Sequence, residues 1–261
     1  MKIFTRVMLI LSGVLATLGV ICIIIACSMG LTWGNFVKML NEGKFRIDIA
    51  DKNGIHIDFF GIDINTGLGD GESGNIDVSE VITGLDVEFG AGILDIHYGD
   101  VEEISIEYEY VIGFESRVKD GTLHLSGALG IGDNSNGALT IVIPYGTTFE
   151  KVDLEIGASE AKINDIVATE VDISVGVGEA EVKNLTVEDL DIETGVGQLA
   201  VELKGKEKDY SYSLDCGIGK IVIGENSYGG LGASHSVKNE DASCHMDIEC
   251  GIGTVRITFT E

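Results

Sequence analysis

The sequence predicts an all-β protein: a β-solenoid of ~19-residue coils with an inserted antiparallel meander, preceded by one N-terminal transmembrane helix. Three observations predict it. Six copies of one short pattern run through the chain. Their spacing is regular over the central copies. A long uncharged run stands ahead of them all.

The copies read LDVEFGAGILDI from Leu85, VDLEIGASEAKI from Val152, VDISVGVGEAEV from Val171, LDIETGVGQLAV from Leu190, YSLDCGIGKIVI from Tyr212 and MDIECGIGTVRI from Met246. Apolar and polar residues alternate in each, as in a strand with one buried face. In the second copy Val152, Leu154 and Ile156 point inward, then Ala161 and Ile163. The Gly pair between the two sets reads as a turn with positive φ.

The first Gly of the pair recurs 19 residues on from Gly157 to Gly176 and again to Gly195. That interval suits one coil of three short strands and three turns, the third visible at 164–168 and 184–187. The intervals of 22 residues to Gly217 and 34 to Gly251 imply loops bulging from regular coils, chiefly over 225–243. The interval from Gly90 to Gly157 is 67 residues, one coil and an excess. The alternating runs at 104–110, 122–125 and 139–143 make that excess an antiparallel meander. The same strands paired as two sheets would give a β-sandwich, the alternative architecture.

Val7 to Ala26 is a run of 20 uncharged, mostly apolar residues, enough for a helix to cross a bilayer core of ~30 Å. Lys2 and Arg6 precede it and place the N-terminus inside. Residues 1–6 are then cytoplasmic, 7–27 the transmembrane helix in contact with membrane lipid, 28–44 a juxtamembrane segment and 45–261 an extracytoplasmic repeat domain. Ile24-Ile25-Ala26-Cys27 also resembles a bacterial lipobox, which would make Cys27 a lipidation site. Both alternatives place the main domain outside a single cell membrane.

The chain has 43 acidic and 17 basic residues and a net charge of −26, which excludes nucleic acid as a partner. Much of that charge falls on outward repeat positions. One column holds Asp86, Asp153, Asp172, Asp191, Ser213 and Asp247; the next holds Glu88, Glu155, Ser174, Glu193, Asp215 and Glu249. In-register stacking sets neighbours ~4.8 Å apart, where like charges repel by roughly 1 kcal/mol in water. Such a ladder either binds divalent cations weakly, docks a basic surface, or is a solvated face that discourages aggregation. No cofactor is implied, the calcium nonapeptide is missing, and a metal site is left unassigned.

Cys216 and Cys250 share the position before the first Gly, so stacking brings them within disulfide range; packed thiols are the alternative. Catalytic patterns are scarce. A strand rather than a helix follows each GxG, so it is no dinucleotide fingerprint. The single Trp, Trp33, lies by the membrane, which leaves a glycan-cleaving groove without aromatic platforms. The chain is read as a non-enzyme.

The order of these parts resembles the putative-adhesin domain family of unknown function: one membrane helix, copies of LDIxxGxGxxxV, and LTIVIPYGTTFEKVDLEIGAS at 139–159. The resemblance covers roughly residues 45–261 and transfers no catalytic residues. It implies a surface-exposed β-solenoid acting as a binding or adhesin-like module on an unknown surface, wall or protein partner. The alternative is an envelope-stress sensor or regulator that acts through a membrane partner. The strand at 255–259 ends the sequence, so an open C-terminal edge for self-association is expected.

Overall fold

Two residues per repeat, alternately in and out, would stay in phase along a straight strand; here the phase changes at each Gly pair. Val171, Ile173 and Val175 are buried, and so are Ala180 and Val182 beyond the turn. Only a bend between the two arms keeps both sets on the inside. The computed structural model describes residues 45–50, 54–59, 62–66, 71–129 and 137–260, and each repeat copy lies within one unbroken strand. The expected membrane helix, the juxtamembrane segment and Cys27 lie outside the described residues. Among the described residues no helix is long and apolar enough to cross a membrane.

The chain divides into two compact units, Met1–Leu68 and Gly69–Glu261. In the first, β1 (Phe45–Ala50), β2 (Gly54–Phe59) and β3 (Ile62–Thr66) form a three-stranded antiparallel sheet. In the second, eleven strands form one sheet. They are β4 (Glu72–Val78), β5 (Gly84–Gly99), β6 (Ile104–Lys119), β7 (Thr122–Leu129), β8 (Ala138–Pro144), β9 (Phe149–Asn164), β10 (Ala168–Leu185), β11 (Asp189–Lys204), β12 (Tyr210–Ile223), β13 (Asn226–Val237) and β14 (Cys244–Thr260).

The repeat copies pair in parallel and in register. Val152 lies opposite Val171, and Val171 opposite Leu190, with matched partners on both arms. The buried side chains of both arms make one core that includes Leu85, Phe89, Leu154, Leu190 and Tyr212. The third side of the coil is short. It is the single bridge Val167–Thr186, entered at Asp165 and Asn184, both at positive φ and joined by an Asn184 Nδ2 to Asp165 Oδ1 hydrogen bond of 3.0 Å.

The coils do not follow sequence order. Spatially they run β5, β9, β10, β11, β14, β12, so the last copy sits between the two before it. The interval of 22 residues expected to be a bulge is therefore a step. Three residues join β10 to its neighbours on either side, whereas 205–209 carry the chain from β11 past one strand place to β12. β12 then turns back through Gly224, at φ 56°, into the antiparallel β13. With that side of β12 taken, β14 fills the place left beside β11. This corrects the expected open C-terminal edge: β14 is paired on both sides, and the sheet's outer strands are β13 and β4.

The meander also needs correcting. β7 pairs in parallel with the first arm of β5, and β8 in parallel with its second arm. Together they supply both arms of one more coil. Only β6 and β4 run antiparallel, β6 against both β7 and β8. Each end of the parallel stack is thus finished by antiparallel strands. The hydrogen bonding unites both arms in one sheet, not the two sheets of the alternative sandwich.

Candidate functional site

The register that stacks the core also lines up the outward side chains. Along the first arm the spatial order is Asp86, Asp153, Asp172, Asp191, Asp247, Ser213, and beside it Glu88, Glu155, Ser174, Glu193, Glu249, Asp215. Ten of these twelve positions are carboxylates and none is a base. The column members between the two ends are half-buried, apart from the exposed Glu249.

The electrostatics follow from that crowding. Glu155 is pushed above its ordinary carboxyl pKa by partial burial, then by Glu88 and Asp153, and it hydrogen-bonds Glu88. Burial and Asp191 do the same to Asp247. Burial, Glu193 and Asp247 raise Glu249. Relief comes from the sides. Lys151 Nζ donates to Asp172 Oδ2 at 2.8 Å and also to Glu170, and His124 Nδ1 lies 2.7 Å from Asp86 Oδ2.

The second arm is different. Its outer face mixes signs, with Lys162 paired to Glu160 at 3.0 Å and Lys183 to Glu181 at 2.9 Å. Lys220 and Arg256 stand on the same arm. The two arms of one sheet therefore present an acidic face and a near-balanced one.

Where the acidic columns meet the end coil, β6 and β7 close a cleft of about 250 Å³. Glu115 and Arg117 on β6, with His124 on β7, face Asp86, Glu88, Asp153 and Glu155 across it. It offers hydrogen-bond acceptors and one guanidinium. No group of three or more His, Cys, Asp or Glu is placed to hold a metal ion among the described residues.

Cys216 lies opposite Cys250 on the adjoining strand, both buried as free thiols, and burial with Cys250 nearby raises the Cys216 pKa. They share a column with Phe89, Ile156, Val175 and Thr194, all buried. Of the scattered histidines, His97 binds Asp95 at 2.8 Å and His235 packs its ring against Tyr228.

Sequence reasoning missed one set of residues. The position after the first glycine of each copy carries no alternation signal, because it lies on the bend. In spatial order it is Ala91, Ala158, Val177, Val196, Ile252 and Ile218. The last four are 55%, 47%, 49% and 55% exposed. They form an aliphatic ridge along the corner of the stack. The signal was present: no polar residue occupies that position in any copy.

Comparison with known proteins supplies the family context. Residues 130–224 match the family model for the N-terminal domain of toast_rack, DUF2154. No curated protein matches the chain. Among solved structures, a putative cell adhesion protein from Clostridium sporogenes is 22% identical, with 72% of this chain and 99% of that chain covered and a TM-score of 0.50. A putative adhesin from Bacteroides fragilis is 13% identical over 71% of this chain and 97% of that one, with a TM-score of 0.30. The first likeness bears on the fold. With its toast_rack match over residues 130–224 and its in-register Gly-pair repeats, the chain is similar to an adhesin-like β-repeat family of unknown function.

Proposed function

We propose that this chain is a membrane-anchored, extracytoplasmic binding module of the cell surface, without catalysis, whose parallel stack is a β-solenoid that docks a basic partner surface. The observation that carries it is the pair of carboxylate columns on the first arm, ten acidic positions of twelve with no base among them. Mutual repulsion leaves such a face under electrostatic strain that a cationic partner relieves. The in-register sheet holds the charges on a fixed lattice, so little ordering is required on binding. The adhesin-like resemblance supports a partner on a surface, and the apolar run 7–26 supports the anchor, with the N-terminus inside and lipidation at Cys27 as the other route.

The test uses the full chain in phosphatidylcholine nanodiscs and polylysine as the probe. Binding is expected to weaken as salt rises. It is expected to fall at least tenfold when Asp191→Asn, Glu193→Gln, Asp247→Asn and Glu249→Gln are combined. Equal binding by the neutralised variant overturns the reading.

A further inference from the structure

Among the described residues the aliphatic ridge gathers most of the large apolar side chains that the core leaves exposed. Among the described residues seven large hydrophobic side chains are exposed, and four of them are Val177, Val196, Ile252 and Ile218. They occupy consecutive strands β10, β11, β14 and β12, so they form one line rather than a scatter. At about 4.8 Å per strand the line is ~14 Å long. Side-chain size grows steadily along it, from Ala91 and Ala158 through valine to isoleucine, and Leu231 stands next in register on β13. Glycines flank Val177, Val196, Ile252 and Ile218 on both sides, so their chain neighbours add no side chain that would shield the aliphatic groups. A turn needs no such residue. Ala158 occupies the same position, and a small or polar side chain there would avoid exposing apolar surface.

The charge on either side says what fits. Three residues back along each strand runs the Glu88, Glu155, Ser174, Glu193, Glu249, Asp215 column, within ~10 Å of the ridge, with a carboxylate beside every rung except Val177. Two residues forward runs the mixed column of Glu160, Glu179, Gln198, Thr254 and Lys220. The complement is an apolar stripe with positive charge along one side.

We propose that the ridge and the acidic column beside it together bind a basic amphipathic helix of a protein partner, its axis along the stack. The helix lays its apolar stripe on Val177, Val196, Ile252 and Ile218 and extends its Lys and Arg side chains over the carboxylates. Helical turns repeat every 5.4 Å against ~4.8 Å for the rungs, so about four turns keep step to within ~2 Å. A second copy of the chain fits less well. Two chains of net charge −26 repel, and four side chains cover well under the roughly 800 Å² per partner of a stable contact. The same carboxylates repel an anionic lipid surface.

This inference rests on the proposed docking of basic partners at the acidic face, and the experiment separates the two. The full chain in phosphatidylcholine nanodiscs is titrated into a fluorescent 14-residue Leu/Lys peptide of amphipathic pattern, and into a scrambled peptide of equal composition. Empty nanodiscs are subtracted. The ridge variant Val177→Ser/Val196→Ser/Ile252→Ser is compared with wild type, and circular dichroism checks that its fold is kept. The expected result is at least tenfold weaker binding of the amphipathic peptide by the variant, with the scrambled peptide unchanged. Equal loss or equal retention for both peptides overturns the ridge while leaving the acidic face in place. Failure of wild type to bind either peptide at low salt overturns both. Sedimentation that shows a wild-type dimer abolished by the ridge substitutions, with peptide binding intact, assigns the ridge to self-association and also overturns the proposal.

Discussion

Cys216 and Cys250 lie directly opposite each other on parallel strands, although a hairpin and a loop separate them in the chain. Both are buried, while Cys244 is only half-buried. Burial shields both sulfurs from an electrophile, and the raised pKa of Cys216 also leaves that thiol little thiolate. Site-resolved mass spectrometry after iodoacetamide treatment at neutral pH is expected to find Cys244 modified and Cys216 and Cys250 protected until denaturant is added. Equal labelling of all three would show that this part of the stack opens freely.

Gly197 is held at φ 148°, and a Cβ there would meet the carbonyl oxygen of Gly178 at 2.0 Å. Gly146 is also at positive φ, 84°, but has open space around it. Gly197→Ala is therefore expected to destabilise by about 3 kcal/mol or more, through dihedral strain and displacement of the next coil. Gly146→Ala should cost only about 1–2 kcal/mol. Denaturant melts of both variants check the ordering.

Ser159 stands where the other central copies have the second Gly, and its buried Oγ has no hydrogen-bond partner. Removing a buried hydroxyl that gains nothing in the fold relieves its desolvation penalty. Ser159→Ala is expected to stabilise by about 1 kcal/mol, read as a higher denaturation midpoint at unchanged slope.

Glu155, Asp247 and Glu249 all have folded pKa values raised above the unfolded ones. Over the window between the two values the folded state holds more protons, so stability falls as pH rises through it. Acidifying from neutral pH toward the ordinary carboxylate range should thus raise the melting temperature. Glu155→Gln should flatten part of that rise. A melting temperature that falls steadily from pH 7 downward would contradict the strained ladder.

Hydrogen exchange tests the coil order. β14 is paired on both sides and β13 on one. Amides of β14 should be among the slowest to exchange and those of β13 among the fastest, the reverse of what a terminal open edge predicts.

Much of this was legible because each copy states its own strand. Alternation in VDISVGVGEAEV gives the inward residues, and identical alternation in its neighbours gives the register, so the carboxylate columns followed directly. Coil order was not legible, because pattern similarity says that two copies stack but not which gap each fills. The 22-residue interval before Gly217 is equally a bulge or a step until β13 is seen to occupy the far side of β12. The β7–β8 coil was hidden because its two arms stand farther apart in the chain than those of the repeat copies, which left two short runs that looked like hairpin strands. The ridge was missed because its residues sit where the two-residue period breaks, and a search tuned to that period passes over them.

The placement of β14 also sets a timetable. A ribosome delivers β12 before β14, at about 5–20 residues per second, so for a few seconds β12 has no parallel neighbour. Its buried set Tyr212, Leu214 and Cys216 must wait, covered on one side by β13 alone. The alternating stack up to β11 can zip as it emerges, but closure awaits a segment made after the strands it joins. A chain cut short in the loop at 238–243 would leave that gap unfilled, and proteases that recognise exposed strand edges would have a distinct mark by which to remove it.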